Sequence, residues 1–553
     1  MRRTRRSSST DSRSSASAIR VVRRRSSRYP IRHRSTETTL MAAPRLVTIR
    51  ASLMLGLVMT IVSRSSGAAD WPMAGGTPQR NGLPAAGPID VDFDPENPDD
   101  LRWKVKLGSQ SYGNPIIADG KVFVGSNNGA GYRPKHPAKE DRGVLLCFDL
   151  ASGEFLWQLT RNKLIEGEAL DWPTVGICSS PCVEGDRAWL VTNRCELICL
   201  DTEGFADGEN DGAVTDETDA EVGDADIVWV LDMKESLGVL PHNLATSNPL
   251  VHGDLVFTLT CNGVDERHES IPAPDAPSFV AVDKRTGEVR WQVSEVSSRV
   301  LHGQWASPAL GIVDGVAQVV FPGGDGWVYA YVAETGEELW RCDLNPKASR
   351  WDPQGRGDRN PIVATPIFVD GSVVIAVGDD PEYGDGVGHL YRIDANGRGD
   401  VSAELGAEGT PGTPNPNSKV RWHYGGIDAD GSLTGKKGES IFRRTIAAAA
   451  VADGLVVIPD FSGRVHCVDF ATGERYWEDD LLGAVWASPL IADGKIFLAD
   501  ENGQLWIRKL AKELEPVRDE ILFDSAIYGN PALVDDLLVI ADRSNLYAIP
   551  VGR

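Results

Sequence analysis

Four aromatic residues, each three positions ahead of a proline, are the first candidates for chemistry. They are Tyr112, Trp305, Trp486 and Tyr528, and aromatic faces bind flat or apolar surfaces of a ligand. Amide, imidazole and guanidinium groups at comparable positions of the sequence are able to donate hydrogen bonds to such a ligand. We therefore expect a binding site that combines the four aromatics with Asn243, His302, Gln304 and Arg444, next to His242, Arg443, Asn114 and Asn530.

Known catalytic motifs are missing from the sequence. It contains no nucleophile elbow, no P-loop and no metalloprotease helix, and its Asp and His residues show no spacing that dictates acid–base catalysis. It also lacks a Cys-x-x-Cys-His sequence, so no haem attachment site is present. The residue pattern favours binding over catalysis.

The acidic segment 201–221 is the strongest candidate for an ion site. Asp207, Glu209 and Asp211 follow the first half of an EF-hand-type calcium loop, in which hard oxygen ligands surround the ion. The twelfth position holds Thr218 in place of the closing Glu. Calcium binding through these carboxylates is one interpretation, and a solvated acidic loop is the other.

The elements that position these residues are repeated. Four segments end in Gly-Glu-x-x-Trp, which predicts a strand, a tight turn at Gly and a second strand whose Trp packs between neighbours. Another unit recurs ahead of them and predicts a strand opened by Pro, a hairpin turn and a second strand. The first unit occupies 148–157, 282–291, 331–340 and 468–477, and the clearest copies of the second occupy 112–124, 364–377, 486–498 and 528–540.

The number of units predicts the architecture. First strands begin near residues 112, 177, 245, 304, 363, 446, 486 and 528. The last copy has only three strands, and segment 101–107 offers the fourth, with Trp103 in the place of the other tryptophans. We therefore predict an all-β, eight-bladed β-propeller over 101–553, closed by 101–107 and preceded by a lead-in at 70–100.

The eight cysteines fit this repeat frame. Cys147, Cys199 and Cys467 occupy equivalent third-strand positions in three units, which favours small buried core residues with free thiols. The four cysteines between residues 178 and 199 leave a zinc site or a disulfide as alternatives.

The Asp-x-x-Thr-Gly-x-x-x-Trp strand pairs, as in 283–291, resemble the pyrroloquinoline quinone (PQQ) repeats of quinoprotein alcohol dehydrogenase-like propellers. The opening Asp70-Trp71-Pro72 and Asn81-Gly82 resemble secreted members of that superfamily. WD-repeat propellers are the alternative, but no copy ends its third strand in Trp-Asp. The resemblance to quinoprotein dehydrogenases implies a Cys-Cys disulfide ring, a Glu-Asn-Asp calcium set and an Asp base. This sequence has no Cys-Cys pair, and we place neither the calcium set nor the base on it.

The predicted ring of blades brings the candidate residues together. The residue three positions before each opening Pro, or its equivalent, surrounds the mouth of the central channel. An aromatic arc of Trp486, Tyr528 and Tyr112 with Trp305 opposite suits a flat quinone, a sugar or a peptide, and side chains that merely fill the channel neck are the alternative. The eight mouth positions are Tyr112, Cys178, Thr246, Trp305, Val363, Ile446, Trp486 and Tyr528.

Residues 1–69 have the features of an export signal. Arginines precede an apolar run at 53–62, and small residues follow at 67–69. Ten apolar residues suit a signal-peptide core and are too few to span a bilayer. We expect cleavage after Ala69, with Met41 as an alternative start and an uncleaved anchor as an alternative fate. The mature chain is then periplasmic or secreted, with no transmembrane segment.

Charge excludes one class of partner. The formal net charge of the chain is −23, yet residues 1–69 hold 15 arginines and only two acidic residues. Residues 70–553 therefore carry 41 basic against 77 acidic residues, and such a body repels a phosphate backbone. We expect no nucleic-acid binding.

Together the sequence predicts an exported propeller that binds a ligand or scaffolds a protein. A PQQ-dependent alcohol or sugar dehydrogenase with the quinone at the channel mouth is the first alternative, and a carbohydrate-binding propeller is the second. PQQ and calcium are accordingly candidate cofactors. The partner, an unknown protein or a small molecule, stays open. The scaffold lipoprotein of the β-barrel assembly machinery belongs to the same superfamily, but no Cys that could carry a lipid precedes Cys147.

Overall fold

The computed structural model describes residues 70–167, 170–352, 357–379 and 383–552. Within these residues, eight antiparallel sheets of four main strands form blades 1 to 8 of a β-propeller. The predicted eight-bladed fold is confirmed. The predicted signal segment lies outside the described residues. None of the helices in the described part of the chain is long and apolar enough to cross a membrane.

Each blade consists of four strands, from an inner strand to an outer one. Blade 1 has Ile116–Ala118, Lys121–Asn127, Arg142–Asp149 and Phe155–Asn162; blade 2 has Cys182–Glu184, Arg187–Val191, Glu196–Asp201 and Ile227–Asp232; blade 3 has Leu250–His252, Leu255–Leu259, Phe279–Asp283 and Val289–Val293; blade 4 has Ala309–Val313, Val316–Pro322, Trp327–Val332 and Glu338–Asp343.

The second half of the ring follows the same order. Blade 5 has Ile367–Val369, Ser372–Val377, His389–Asp394 and Val420–Gly425; blade 6 has Ala450–Ala452, Leu455–Pro459, Arg464–Asp469 and Arg475–Asp480; blade 7 has Leu490–Ala492, Lys495–Ala499, Gln504–Lys509 and Pro516–Leu522; blade 8 has Ala532–Val534, Leu537–Ala541, Asn545–Pro550 and, from the other end of the chain, Trp103–Lys106.

The remaining elements are short. Gly399–Asp400 adds a parallel edge strand to blade 4. Two-residue strands pair Glu404–Leu405 with Thr413–Pro414 and Ile427–Asp428 with Glu439–Ser440. The described helices are the α-helix Met233–Leu237 and the 3-10 turns Pro98–Asp100, Asn128–Ala130, Gly204–Ala206 and Ser297–Arg299.

Asp-Gly turns explain the first hairpin of several blades. Asp119 and Gly120 have φ values of 47° and 72°, and a two-residue hairpin turn with positive φ at both positions matches the right-handed twist of its strands. The same pair of positive φ values occurs at 314–315, 370–371, 453–454 and 493–494. The turn chemistry therefore fixes the register in which each first strand meets its second.

Segment 103–106 closes the ring, as predicted. It pairs antiparallel with the last strand, with Trp103 opposite Ala548 and Lys106 opposite Asn545. Both ends of the chain thus contribute to blade 8, and neither leaves an unpaired edge strand at this junction.

In six of the eight blades, the repeated Trp joins the blade to the next one. The indole N–H of Trp103 donates to the Leu150 carbonyl of blade 1 at 2.9 Å, and a Cβ added at Gly153 would lie 2.8 Å from the same indole. Gly is required because a larger residue would push the ring away. Equivalent indole bonds to the following blade start from Trp157, Trp229, Trp291, Trp422 and Trp477.

All eight cysteines are buried and unpaired in the structure. Burial raises the pKa of the Cys182 thiol to about 11, so this thiol stays protonated at neutral pH. This arrangement matches the free-thiol interpretation.

Candidate functional site

A ring of small polar side chains surrounds the axis of the propeller. In seven of the eight blades, the residue directly before the Pro that opens the inner strand is Asn, Ser or Thr. In each of six consecutive steps, a backbone N–H of one blade donates to the ring side chain of the next, which fixes the spacing of the inner strands. The bonds run from Ala448 to Ser488 (2.9 Å), Asn530 (2.6 Å), Asn114 (2.7 Å), Ser180 (2.8 Å), Asn248 (2.6 Å) and Ser307 (2.9 Å).

The predicted mouth residues form a second ring, and each lies two positions before the polar-ring position of the same blade. All eight line one cavity of about 380 Å³ on the axis, together with most of the polar ring. Trp172 and Asn243, from the connections that precede blades 2 and 3, complete its wall. The ring of inner strands therefore brings eight separate parts of the sequence into one site on the axis.

The aromatic arc is a packed cluster. The rings of Tyr112 and Tyr528 stack with centroids 4.7 Å apart and an interplanar angle of 20°. Trp486 lies 5.1 Å from Tyr528 and 5.8 Å from Tyr112. All three side chains are half-buried, so they present ring surface to the cavity while packing against one another.

Three predicted site residues lie outside the cavity lining. Gln304 is fully buried and donates to the Asn262 carbonyl at 2.7 Å. Arg444 donates to the Asn360 side chain and to the Tyr383 carbonyl, both at 2.7 Å. The third, His302, is buried behind Trp305, with ring centroids 4.9 Å apart. Of the predicted polar residues, the structure brings Asn243, Asn114 and Asn530 to the cavity.

The lead-in closes the channel beneath the cavity, which the sequence did not reveal. Trp71 exchanges two backbone hydrogen bonds with Ile117 of blade 1. The following residues, to Gly82, bond in turn to blade 2 and to blades 4 to 7, through Val183, Leu310, Phe368, Val451 and Ile491. These contacts follow the inner strands in ring order, so the segment winds inside the channel, and the buried Arg80 side chain reaches from it to blades 3 and 4. We infer that the segment closes the channel and makes the cavity blind. We call residues 71–82 the plug.

Arg80 anchors the plug. It is 4% exposed, and its guanidinium donates to the carbonyl oxygens of Ala74, Asn248, Pro249 and Pro308 at 2.9 to 3.0 Å. Burial lowers the pKa of Arg80 to about 10, so it remains charged at neutral pH. The Arg80 side chain thereby ties the plug to blades 3 and 4.

The cavity has aromatic, apolar and neutral polar walls. Among the described residues that line it, there is no Asp, Glu, Lys, Arg or His. Burial raises the pKa of Tyr112 to about 12 and that of the Cys178 thiol to about 12, so both stay neutral at physiological pH. The site offers ring faces, amides and hydroxyls.

This lining does not fit PQQ with a calcium ion. The quinone carries three carboxylates, and burying them without a cation costs several kcal/mol. Calcium requires several oxygen ligands, mostly carboxylates, and the described lining has none. The cavity therefore lacks the groups that would hold this cofactor.

The predicted calcium loop lies elsewhere, beside blade 2. Asp207 accepts the backbone N–H of Glu209 at 2.9 Å, whereas Asp211 pairs with Arg187 at 2.7 Å. Among the described residues, these three carboxylates do not form a converging ligand group. The arrangement resembles a solvated loop more than an ion cage.

A histidine cluster was not predicted as a unit. His242, His268 and His302 place one ring nitrogen each within 4.8 Å of one another. Burial and the two neighbouring imidazoles lower the pKa of His242 to about 3. The sequence named His242 and His302 only as neighbours of Trp305, because His268 lies in a loop with no recognisable spacing.

Comparison with known proteins agrees with this architecture. The family model described as "Outer membrane protein assembly factor BamB" matches residues 141–382 and 415–511. No curated protein is significantly similar to the chain. Solved structures with the same fold include BamB from Moraxella catarrhalis (16% identity, TM-score 0.50, 81% of this chain and 99% of that one).

Two dehydrogenases share the fold as well. A europium-containing methanol dehydrogenase is 13% identical with a TM-score of 0.54, over 88% of this chain and 99% of that one. The quinohemoprotein alcohol dehydrogenase from Comamonas testosteroni is 12% identical with a TM-score of 0.52, over 88% of this chain and 81% of that one. These identities show the fold alone. Since the family model spans more than half of the sequence, the chain belongs to the PQQ-repeat β-propeller family described as outer membrane protein assembly factor BamB.

Proposed function

We propose that this protein is a binding propeller whose channel mouth holds a neutral, hydroxyl-rich small ligand of the carbohydrate type. The observation that carries the proposal is the blind cavity of about 380 Å³ with aromatic walls and no charged side chain among its described lining residues. Aromatic faces stack on the apolar faces of sugar rings, and amides and hydroxyls pair with sugar hydroxyls.

The alternatives gain less support from the cavity. A quinone with three carboxylates has no cationic partner there, and an extended peptide needs an open groove, whereas the plug closes this channel. The BamB description of the family and the BamB structure make protein scaffolding the second candidate. A scaffold would use the loops around the blades and would not depend on Trp486.

A titration of the purified protein with neutral di- and trisaccharides (cellobiose, xylobiose and maltotriose), followed by tryptophan fluorescence, tests the proposal. We expect saturable quenching or enhancement by at least one member of the panel. Trp486→Ala should weaken binding about five- to twelvefold, because one stacking face contributes about 1–1.5 kcal/mol. Tyr528→Phe keeps its ring and should bind within about threefold of the wild type.

The control is Leu482→Ala, since Leu482 is 82% exposed and lies outside the cavity lining. It should bind like the wild type. A flat titration with every sugar in the panel, or an unchanged affinity in Trp486→Ala, would contradict a carbohydrate-type site at the channel mouth.

We also infer that the chain is exported. The support is the arginine-flanked apolar run 53–62 followed by small residues. Amino-terminal sequencing of the protein isolated from its native cells should begin at Asp70. A protein that retains residues 53–62 and stays in the cytoplasmic fraction would contradict export.

A further inference from the structure

Three imidazoles converge between blades 3 and 4, behind the wall of the cavity. The Nε2 atom of His242 lies 3.1 Å from Nε2 of His302 and 3.1 Å from Nε2 of His268. His242 and His302 are 1% and 0% exposed, and His268 is half-buried. Three neutral ring nitrogens rarely share such a small volume without a proton or a cation between them.

The outer nitrogens of the three rings already have partners. Nδ1 of His242 lies 2.9 Å from the Val264 carbonyl, and Nδ1 of His302 lies 3.0 Å from Oδ1 of Asp379. Both partners are acceptors, so each Nδ1 carries the proton and each Nε2 carries a lone pair. Nδ1 of His268 bonds the hydroxyl of Tyr383. Such outer bonds to a carbonyl or carboxylate are typical of histidines that ligate a metal.

The fold holds the three rings in place from separate elements. His242 and His302 lie in the segments that lead into the inner strands of blades 3 and 4, and His268 lies in the loop 261–278. That loop is braced by a turn in which the Ser270 hydroxyl donates to Asp265 at 2.6 Å. A Cβ at Gly263 would lie 2.6 Å from the His242 Cβ, so the chain needs Gly for this close approach.

We propose that His242, His268 and His302 form a binding site for one divalent transition-metal ion, with Zn²⁺ as the best fit. Zinc binds imidazole nitrogen at about 2.0–2.1 Å, which in tetrahedral geometry separates two ligand nitrogens by roughly 3.3 Å. The two observed separations of 3.1 Å are close to that value. Imidazole ligands favour Zn²⁺, Cu²⁺ or Ni²⁺ over Ca²⁺ and Mg²⁺.

The position of the site indicates which parts of the fold a bound metal would connect. The metal would connect loop 261–278 to the axial ends of blades 3 and 4. It would lie directly behind Trp305, whose indole N–H donates to the His242 carbonyl at 3.0 Å and whose ring lines the cavity. Three ligands from the described residues would occupy three of the four tetrahedral positions of Zn²⁺. The metal site is distinct from the proposed ligand cavity, because none of the three histidines lines that cavity.

The test uses the purified full chain, stripped of metal by a chelator and dialysed. Isothermal titration with ZnCl2 should give one tight equivalent, and Co²⁺ should give the visible absorption bands of a tetrahedral nitrogen site. His268→Ala should weaken Zn²⁺ at least a hundredfold, because it removes one of three ligands. His268 is the safest position to change, since it lies in a loop and is half-buried.

Two further variants keep the test decisive. His252→Ala removes a histidine of blade 3 that lies outside the cluster. This variant should bind Zn²⁺ like the wild type. His302→Gln, checked for folding by circular dichroism, should lose the visible Co²⁺ bands. Absence of a tight equivalent in the wild type, or wild-type affinity in His268→Ala, would overturn the proposal.

Discussion

At the scale of single residues, Arg80 holds the plug in the channel. Its buried guanidinium donates to four carbonyl oxygens from the plug and from blades 3 and 4, and no carboxylate of the described residues accepts from it. A planar group with five donors can reach all four at once, whereas an ammonium group cannot.

Arg80→Lys should therefore lower the free energy of unfolding by about 2–4 kcal/mol, because it leaves buried carbonyls without donors around a buried charge. Urea unfolding followed by tryptophan fluorescence measures the loss. Arg518→Lys is a suitable control, since Arg518 also bonds lead-in carbonyls but lies nearer the surface. Equal unfolding midpoints for Arg80→Lys and the wild type would contradict the anchoring role.

At the scale of elements, the contact between one blade's Trp and the next blade's Gly holds neighbouring sheets together. Gly336 has a φ of 73°, and a Cβ there would lie 2.7 Å from the Trp291 indole. Gly315 has a similar φ of 79° but open space around its Cβ position. Ala substitutions at the two glycines therefore separate the cost of backbone strain from the cost of disturbing the contact between blades.

Gly315→Ala should cost about 1 kcal/mol of stability, the usual penalty for a left-handed Ala. Gly336→Ala should cost about 3 kcal/mol, because the methyl group also displaces the indole. Thermal unfolding of both variants measures the difference. Equal losses in the two variants would show that the Trp–Gly contact contributes nothing to blade packing.

Blade 5 contains an acid-sensitive histidine. Burial and the neighbouring imidazole of His423 lower the pKa of His389 to about 3, against about 6.5 in an unfolded chain. The unfolded state therefore takes up a proton below pH 6.5 that the folded state refuses. The stability from neutral His389 is complete above pH 6.5 and is lost progressively as the pH falls toward 3.

We expect His389 to contribute about 2 kcal/mol to the loss of stability between pH 7 and pH 5. In His389→Gln, which does not titrate, the urea midpoint should fall less over that interval than in the wild type. The comparison uses the change with pH, so a constant loss from the substitution itself does not affect it. Parallel curves for the two proteins would contradict a lowered pKa.

At the scale of the whole molecule, the repeats made most of the fold predictable. The recurring Gly-Glu-x-x-Trp segments and the strand-opening prolines indicated eight blades and the closing strand 101–107, and the structure has both. The same frame predicted which residue ahead of each inner strand lines the axial cavity, because the repeat places it at the same point of every blade.

The other features of the structure depend on contacts that follow no repeat in the sequence. His302 and Gln304 lie outside the cavity that Trp305 lines. Their side chains are instead held by hydrogen bonds to Asp379 and to the Asn262 carbonyl, contacts that a single sequence does not specify. The plug has no strand pattern, and its position follows from hydrogen bonds to seven different blades rather than from its own sequence. The third histidine of the cluster comes from an irregular loop, whose path a single sequence does not specify.

The central claim is that the channel mouth accepts neutral, hydroxyl-rich ligands and not the quinone for which the repeats are named. The most direct measurement is a pair of fluorescence titrations of the purified protein, one with the neutral oligosaccharide panel and one with PQQ, with and without Ca²⁺. We predict a saturable response to at least one oligosaccharide and none to PQQ. Saturable, calcium-dependent quenching by PQQ that disappears in Trp486→Ala would contradict the claim.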